Sequence, residues 1–373
     1  MAADPARELP PIYVTQPELP PLGELVPLLE EIWERRVLTN SGPLHERFRH
    51  AVAGHLGLRH VALFNNATSA LIAALRQQGV SGEVITTPFS FAASAHSIAW
   101  CGAVPVFADI EPRRLNLDPA AVERAITPRT TAILPVHCYG HPCDVAALAD
   151  IARRHGLRLI YDAAHAFGVT LAGRSLLQHG DLSVVSFHAT KVFNTFEGGA
   201  VIAPDETCIA QLDRLRNFGI VDEATIESVG FNGKMSEFNA AVGLLQLRRA
   251  HDVISRRREV ARRYFAALQT IEGIRPVESG NDEGHNFAYF PVLVDRPYPL
   301  TSGELVKNLA GKGIHCRRYF HPLLSDLPLY GGPVDSLPVA RWAAQRIVCL
   351  PIYPSLGEEA QRRIIDALRE PLA

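Results

Sequence analysis

Lys191 is the residue whose type and surroundings point most directly to chemistry. It ends the segment Ser-Phe-His-Ala-Thr-Lys, and Asp162 and His165 lie upstream in Asp-Ala-Ala-His. A primary amine can condense with an aldehyde cofactor, and a carboxylate beneath a pyridine nitrogen keeps that nitrogen protonated, so that the ring can accept carbanion electrons. These residue types together predict catalysis with pyridoxal 5'-phosphate (PLP).

The local pattern places these groups at a sheet edge. Asp162 follows the apolar run Leu157–Tyr161, so its carboxylate is expected at the carboxyl edge of a parallel sheet, where ligands of open α/β folds bind. Lys191 follows another strand pattern, and partial desolvation there would lower its pKa and make it nucleophilic. The alternatives are a helix-capping aspartate, a packed histidine at 165 and a solvent-facing lysine.

Two strand-to-helix turns could complete a cofactor site. The first turn contains Thr68 and Ser69 in the segment Asn-Asn-Ala-Thr-Ser-Ala-Leu. It would direct free backbone N–H groups and the positive end of a helix dipole toward a phosphate. An ordinary helix cap has the same sequence pattern. In the second turn, Thr-Thr-Pro-Phe-Ser-Phe, Phe91 could stack on a flat ring, which would add about 0.5–1.5 kcal/mol of stabilisation to that from buried area. The alternative is a place in the hydrophobic core.

The periodicity predicts an α/β protein with a mostly parallel sheet, because short β-rich runs alternate with helical ones from about residue 60. The predicted strands are Val61–Phe64, Glu83–Thr86, Val104–Ala108, Thr131–Val136, Leu157–Tyr161, Ser183–Phe187 and Ala200–Ile202. The predicted helices are Ser69–Gln78, Ala92–Cys101, Pro119–Ile126, Val145–His155 and Ser236–Leu268.

The remaining pattern predicts a second, smaller domain. A strand at Asn286–Val294, a helix at Ser302–Lys312, a strand around Ile314, a helix near Val339–Arg346 and a final amphipathic helix suggest a small α+β unit. We expect a proline-rich N-terminal arm and a large domain over residues 1–250, and a small C-terminal domain over 251–373.

Composition excludes several partner classes. The 37 basic and 39 acidic residues give a net charge of −2, so there is no electrostatic case for nucleic acid or membrane as a partner. The six cysteines lack Cys-x-x-Cys spacing, which favours reduced thiols in the cytoplasm and no metal site. No apolar run approaches the roughly 20 residues that span a bilayer, and no signal peptide is expected.

Six ordered motifs over residues 65–241 resemble the DegT/DnrJ/EryC1/StrS family of PLP-dependent sugar aminotransferases, which has the fold-type I architecture. They are Asn-Asn-Ala-Thr-Ser-Ala-Leu, Thr-Thr-Pro-Phe-Ser-Phe, Gly-Ala-Val-Pro-Val-Phe-Ala-Asp-Ile, Asp-Ala-Ala-His-Ala-Phe-Gly, Ser-Phe-His-Ala-Thr-Lys and Gly-Phe-Asn-Gly-Lys-Met-Ser-Glu-Phe-Asn-Ala-Ala. An ordered set of motifs is far more specific than any single one.

The resemblance implies a role for each matching residue. Lys191 would form the internal aldimine of PLP, with pyridoxamine phosphate as the intermediate, and Asp162 would pair with the pyridine nitrogen. Phe91 would contact the face of the ring, and His165 would contact the ring hydroxyl. The phosphate would be bound by Thr68, Ser69 and Ser186. Asn232 would reach the phosphate in the partner subunit, which implies a homodimer with shared active sites. His165 stands where many relatives carry Gln, and Asn-Asn-Ala-Thr replaces the commoner Gly-Thr pattern.

The substrate is suggested by two longer segments. The extended Lys191 motif and Gly-Ile-His-Cys-Arg-Arg-Tyr-Phe-His-Pro (residues 313–322) resemble enzymes that aminate C4 of dTDP-4-keto-6-deoxyglucose, with L-glutamate as the amino donor. Lys234, Arg317, Arg318 and Tyr319 are candidates for contacts with the nucleotide diphosphate or the sugar, because guanidinium and ammonium groups suit phosphate oxygens. Surface pairing is the alternative for the two arginines.

The sequence is compatible with several other functions. A sugar dehydratase of the same fold would commonly carry His in place of Lys191. An aminotransferase acting at C3, on a cyclitol or on a UDP-sugar differs only in its substrate pocket. A non-catalytic binding protein would not need Lys191, Asp162 and His165 together, and a nicotinamide oxidoreductase would need a Gly-x-Gly-x-x-Gly turn after a strand, which the sequence lacks.

Overall fold

The computed structural model describes residues 10–277, 284–332 and 336–371, so residues 1–9 of the expected arm lie outside the described part. The strands are β1 (Ile12–Tyr13), β2 (His60–Phe64), β3 (Glu83–Thr86), β4 (Val104–Phe107), β5 (Thr130–Leu134), β6 (Arg158–Asp162), β7 (Thr170–Leu171), β8 (Arg174–Ser175), β9 (Leu182–Ser186), β10 (Gly199–Ala203), β11 (Ile274–Pro276), β12 (Phe290–Val294), β13 (Ile314–His315) and β14 (Ile347–Leu350). The helices are α1 (Leu22–Arg35), α2 (Pro43–Leu56), α3 (Ala67–Gln77), α4 (Ala92–Trp100), α5 (Pro119–Ala125), α6 (Val145–His155), α7 (Glu206–Leu215), α8 (Glu237–Leu268), α9 (Ser302–Gly311), α10 (Pro338–Arg346) and α11 (Glu358–Arg369).

The central feature is a seven-stranded sheet in the order β2-β10-β9-β6-β5-β3-β4. β10 is antiparallel to both of its neighbours, and the other neighbouring pairs are parallel. β9 and β10 are buried along their whole length, as expected for strands covered on both faces. The predicted α/β class with a mostly parallel sheet is confirmed.

The two faces of the sheet are covered by different helices. Along β2, Val61 and Leu63 pack in a cluster with residues of α2 and α8, whereas Ala62 and Phe64 pack in a cluster with residues of α3 and α7. This division follows from the strand geometry, because successive side chains point to opposite faces of a sheet.

A second core surrounds the antiparallel sheet β11-β12-β14. Residues of α9, α11 and the later part of α8 pack against it. α8 runs without interruption from the first core, which contains Ala250, to the second, which contains Val260. The division at residue 250 therefore stays a prediction.

Local chemistry explains several boundaries. α8 begins where the Ser236 side chain accepts a hydrogen bond from the Asn239 N–H, an ordinary N-cap. β12 is shorter than the predicted strand at 286–294, because Phe287 has a left-handed φ of 52° and the Asn286 side chain accepts a bond from the Ala288 N–H. None of the described helices is long and apolar enough to cross a membrane.

Candidate active site

Asp162 is the last residue of β6, and its side chain is only 4% exposed. Its Oδ2 accepts a hydrogen bond from the Ser94 hydroxyl at 2.7 Å, and its Oδ1 accepts one from the Ala164 N–H at 3.1 Å. Burial raises the pKa of Asp162, while these two bonds and the charge of Lys191 oppose that rise. The carboxylate is thus held in one orientation at the sheet edge.

Lys191 lies in the loop after β9, and its backbone N–H donates to the His188 carbonyl at 2.9 Å. Its Nζ lies 5.9 Å from the centre of the Tyr289 ring. Burial lowers the pKa of Lys191 from 10.5 to about 8, and the carboxylate of Asp162 acts in the opposite direction. A large share of this amine is therefore neutral near pH 8, as a nucleophile requires.

His165 is buried beside the same lysine. Its Nδ1 accepts a hydrogen bond from the Tyr139 N–H at 3.1 Å, so the proton of the neutral ring lies on Nε2. Burial lowers the pKa of His165 well below its ordinary value, and the charge of Lys191 adds to this effect. The ring is edge-on to Tyr289, with centroids 4.9 Å apart, and parallel to Phe320 at 6.3 Å. His165 is thus a fixed, neutral Nε2–H donor.

The start of α3 lies next to Ser186. Asn66 caps α3 by accepting the Ser69 N–H at 2.8 Å, and the Ser69 hydroxyl donates to Asn65 Oδ1 at 2.6 Å. Gly199 pairs with Phe64 in β2 and with Ser186 in β9. A Cβ at Gly199 would lie 2.8 Å from the Ala67 nitrogen, so this close approach requires glycine. The helix N-terminus, exposed Thr68 and the Ser186 hydroxyl therefore share one edge of the sheet.

Phe91 precedes α4, and its ring is 63% exposed, which excludes a place in the hydrophobic core. Asn232 is also exposed, and its carbonyl accepts a bond from the Asn65 side chain at 3.5 Å. Lys234 Nζ donates to Asn217 Oδ1 at 2.7 Å and lies 5.2 Å from the centre of the Phe218 ring. Lys234 also lines a polar cavity of about 220 Å³.

The segment 317–319 has three different environments. Arg317 is exposed, and its backbone pairs with Cys349. The Arg318 guanidinium donates to the Ala344 carbonyl at 2.8 Å, and burial lowers its pKa. Tyr319 lies 5.5 Å from Tyr289, edge to face. Of the three candidates, only Tyr319 is joined to the Lys191 and His165 group through a described aromatic contact.

Sequence reasoning missed four residues of this site: Ser94, Tyr139, Tyr289 and Phe320. Ser94 lies in the first turn of α4, soon after the Thr-Thr-Pro-Phe-Ser-Phe motif, so its position offered a weak signal. Tyr139 contacts the site through its backbone N–H and through its ring, which packs against Tyr289 and Phe320, and Tyr289 precedes a buried strand far along the chain. Nothing in the local patterns of Tyr139 and Tyr289 separates these two from core residues.

The model of the DegT/DnrJ/EryC1/StrS aminotransferase family matches residues 23–369. The chain belongs to this family. It is 49% identical over 362 residues to the dTDP-4-amino-4,6-dideoxy-D-glucose transaminase of Shigella dysenteriae, covering 96% of this chain and 99% of that protein. The resemblance inferred from the motifs is confirmed.

Two solved structures have the same fold. The structure of DesI in the presence of its TDP-sugar product has a TM-score of 0.93 and 38% sequence identity, covering 98% of this chain and 94% of DesI. The structure of NtdA from Bacillus subtilis with bound cofactor PMP has a TM-score of 0.84 and 28% identity, covering 94% of this chain and 81% of NtdA. The protein is thus an aminotransferase of a family that uses PLP and PMP.

The residues present fit such a cofactor. Lys191 provides a half-buried amine of lowered pKa for the aldehyde, and Asp162 provides a buried carboxylate with lone pairs beyond the two that are bonded. The N-terminus of α3, with the Ser186 hydroxyl beside it, has the donor character that a phosphate needs.

Proposed function

We propose that this aminotransferase moves an amino group from L-glutamate to the C4 keto group of a nucleotide-linked 4-keto-6-deoxy sugar, dTDP-4-keto-6-deoxy-D-glucose. The observation that carries the proposal is the 49% identity, over nearly the whole of both chains, to a dTDP-4-amino-4,6-dideoxy-D-glucose transaminase. The half-buried Lys191, whose amine has a lowered pKa, and the buried Asp162 supply the groups that such a reaction needs.

Each candidate residue has a place in this proposal. When bound, PLP supplies an aldehyde for amines and a ring that accepts electrons as a proton leaves a carbon. Lys191 would hold the aldehyde carbon and Asp162 the ring nitrogen, whereas Nε2–H of His165 would donate to the ring hydroxyl. Phe91 would cover the ring face, and the remaining contacts, all to the phosphate, would come from Thr68, Ser69, Ser186 and the partner subunit's Asn232.

Lys191 would also carry the proton. An amine whose pKa is about 8 can both accept and return a proton near neutral pH, which is the condition for an efficient acid–base group. Its Nζ would move a proton from the α-carbon of glutamate to the former aldehyde carbon of the cofactor in the first half-reaction, and a proton from that carbon to the sugar C4 in the second. The aromatic rings of Tyr289 and Phe320 would keep water from this proton path.

A homodimer completes the proposal. Asn232 and Phe91 are exposed in the single chain, and so are large apolar side chains such as Trp33 and Val229, at 73% and 82%. Exposed apolar surface of this kind is typical of protein–protein contacts.

The sugar nucleotide would meet Lys234, Arg317, Arg318 and Tyr319. Each of the six cysteines is free, which is consistent with a cytoplasmic location.

The test is product analysis with a panel of nucleotide sugars. The protein is incubated with PLP, L-glutamate and either 4-keto or 3-keto sugars on dTDP or UDP, and products are identified by mass spectrometry and NMR. The expected result is one amine at C4 of the dTDP sugar. Amination at C3, or loss of water without gain of nitrogen, would replace the proposal by one of its rivals. Lys191→Ala should abolish the product, whereas Lys307→Ala, at an exposed position on α9, should not.

A further inference from the structure

Ser94 makes a direct, buried contact with Asp162. Its Oγ donates to Asp162 Oδ2 at 2.7 Å, and both side chains are almost completely shielded, at 0% and 4% exposure. The bond joins the first turn of α4 to the last residue of β6, which lies 68 positions away in the sequence. A hydrogen bond to a buried charge is stronger than one between neutral groups.

The direction of the hydrogen bonds follows from the chemistry of the groups. An ionised carboxylate can only accept, so the single hydroxyl proton of Ser94 is committed to Asp162. Ser90 Oγ lies 2.9 Å from Ser94 Oγ and must therefore donate to it. The result is a buried chain from Ser90 through Ser94 to Asp162, in which each bond polarises the next.

The other groups that face Asp162 define what Ser94 contributes. Burial raises the pKa of Asp162, and the amine of Lys191 is the charged group that opposes it. The thiols of Cys138 and Cys143 also face Asp162, but burial raises their pKa, so both stay neutral. The Ala164 N–H supports Oδ1, which leaves Ser94 as the described donor to Oδ2.

We propose that Ser94 is a positioning residue that keeps Asp162 ionised and oriented, so that the carboxylate can hold a protonated ring nitrogen. The inference deepens the proposed function and rests on it only for the pairing of Asp162 with the cofactor ring, whatever sugar is the substrate. Ser94 itself does not need to touch the cofactor or either substrate.

Matched variants of α4 test this role. Ser94→Ala removes the donor, Ser94→Thr keeps a hydroxyl at the same place, and Ser97→Ala removes another buried hydroxyl, which donates to the Ser94 carbonyl and not to Asp162. Each holoenzyme is loaded with PLP carrying ¹⁵N in its ring, and the ¹⁵N chemical shift is followed against pH. The rate of the glutamate half-reaction is measured over the same pH range.

Ser94→Ala should move the ring-nitrogen signal toward the unprotonated value at neutral pH. It should also shift the acid limb of the half-reaction upward by about one to two pH units, the size expected for one lost bond to a charged group. Ser94→Thr should restore both readings, and Ser97→Ala should match the wild type. If Ser94→Ala left the ¹⁵N titration unchanged, or if Ser97→Ala changed it equally, the proposal would be overturned. Failure of the sugar assay alone would refute the substrate assignment and leave these readings intact.

Discussion

The lowered pKa of Lys191 predicts an unusually reactive amine in the cofactor-free protein. With a pKa of about 8, about half of the amine is neutral at pH 8, whereas a lysine at the ordinary 10.5 would be about 0.3% neutral. The difference amounts to roughly 150-fold in the concentration of the reactive form. Burial is the main cause of the lowered pKa of Lys191, so the lowered pKa should persist at high salt.

Replacing Asp162 tests the direction in which a neighbouring charge shifts the pKa of Lys191. The carboxylate favours the charged form of Lys191 and so raises its pKa, against the larger effect of burial. Asp162→Asn removes this support, and the pKa of Lys191 should fall below 8. The reactive neutral amine would then appear at a lower pH than in the wild type.

The assay is competitive labelling with a small amine-specific reagent, followed by digestion and mass spectrometry. The chain contains only four lysines, Lys191, Lys234, Lys307 and Lys312, so each can be followed separately. Exposed Lys307 serves as an internal reference for the pH dependence of the reagent. If the labelling midpoint of Lys191 coincided with that of Lys307, or rose in Asp162→Asn, the electrostatic reasoning would be wrong.

Three further predictions concern assembly, stability and substrate binding. Mixing Lys191→Ala protein, which lacks the amine, with Asn232→Ala protein, which lacks one phosphate contact, should raise the activity to about one quarter of the wild-type value, because random exchange makes half of the dimers mixed, each with one intact site. No gain over the two separate proteins would contradict shared sites. Glu237→Ala should lower the free energy of unfolding by about 3 kcal/mol, measured by urea denaturation, because this buried carboxylate accepts the first N–H groups of α2 at 2.7 and 2.9 Å. A decrease below about 1 kcal/mol would contradict the capping role. Tyr139→Phe removes the hydroxyl bond to the Tyr319 carbonyl, so KM for the sugar nucleotide should rise while the rate of the glutamate half-reaction stays near wild type. If both half-reactions were impaired equally, a role of this bond in sugar binding alone would be refuted.

The sheet and its functional edge could be predicted because their signals are local. Buried parallel strands appear as short apolar runs, and the residue that ends a run lies at the sheet edge. The predicted strand Leu157–Tyr161 is shifted by one residue from β6, and the shift makes Asp162 the last strand residue. A boundary error of this size leaves the carboxylate at the same edge.

The missed elements lack such signals or depend on distant contacts. β14 is four residues long and follows α10 directly, with no turn residue to mark its start. α7 has a usable mark, since Asp205 caps it by accepting the Cys208 N–H, but a single capping residue is weak evidence for a helix. Tyr289 reaches Lys191 from almost 100 positions away, and only tertiary packing makes that contact.

The chemistry of the site follows from where two neighbouring strands end. Asp162 ends β6 and Lys191 follows β9, its parallel neighbour, so both side chains leave the sheet at one edge. Burial there disfavours both charges, raising the pKa of Asp162 and lowering that of Lys191, and each charge partly supports the other. A protonated ring nitrogen beside Asp162 would take over the support that Lys191 gives to the carboxylate. Lys191 could then lose its proton without leaving an unpaired buried charge, which is the condition for its amine to act on a substrate.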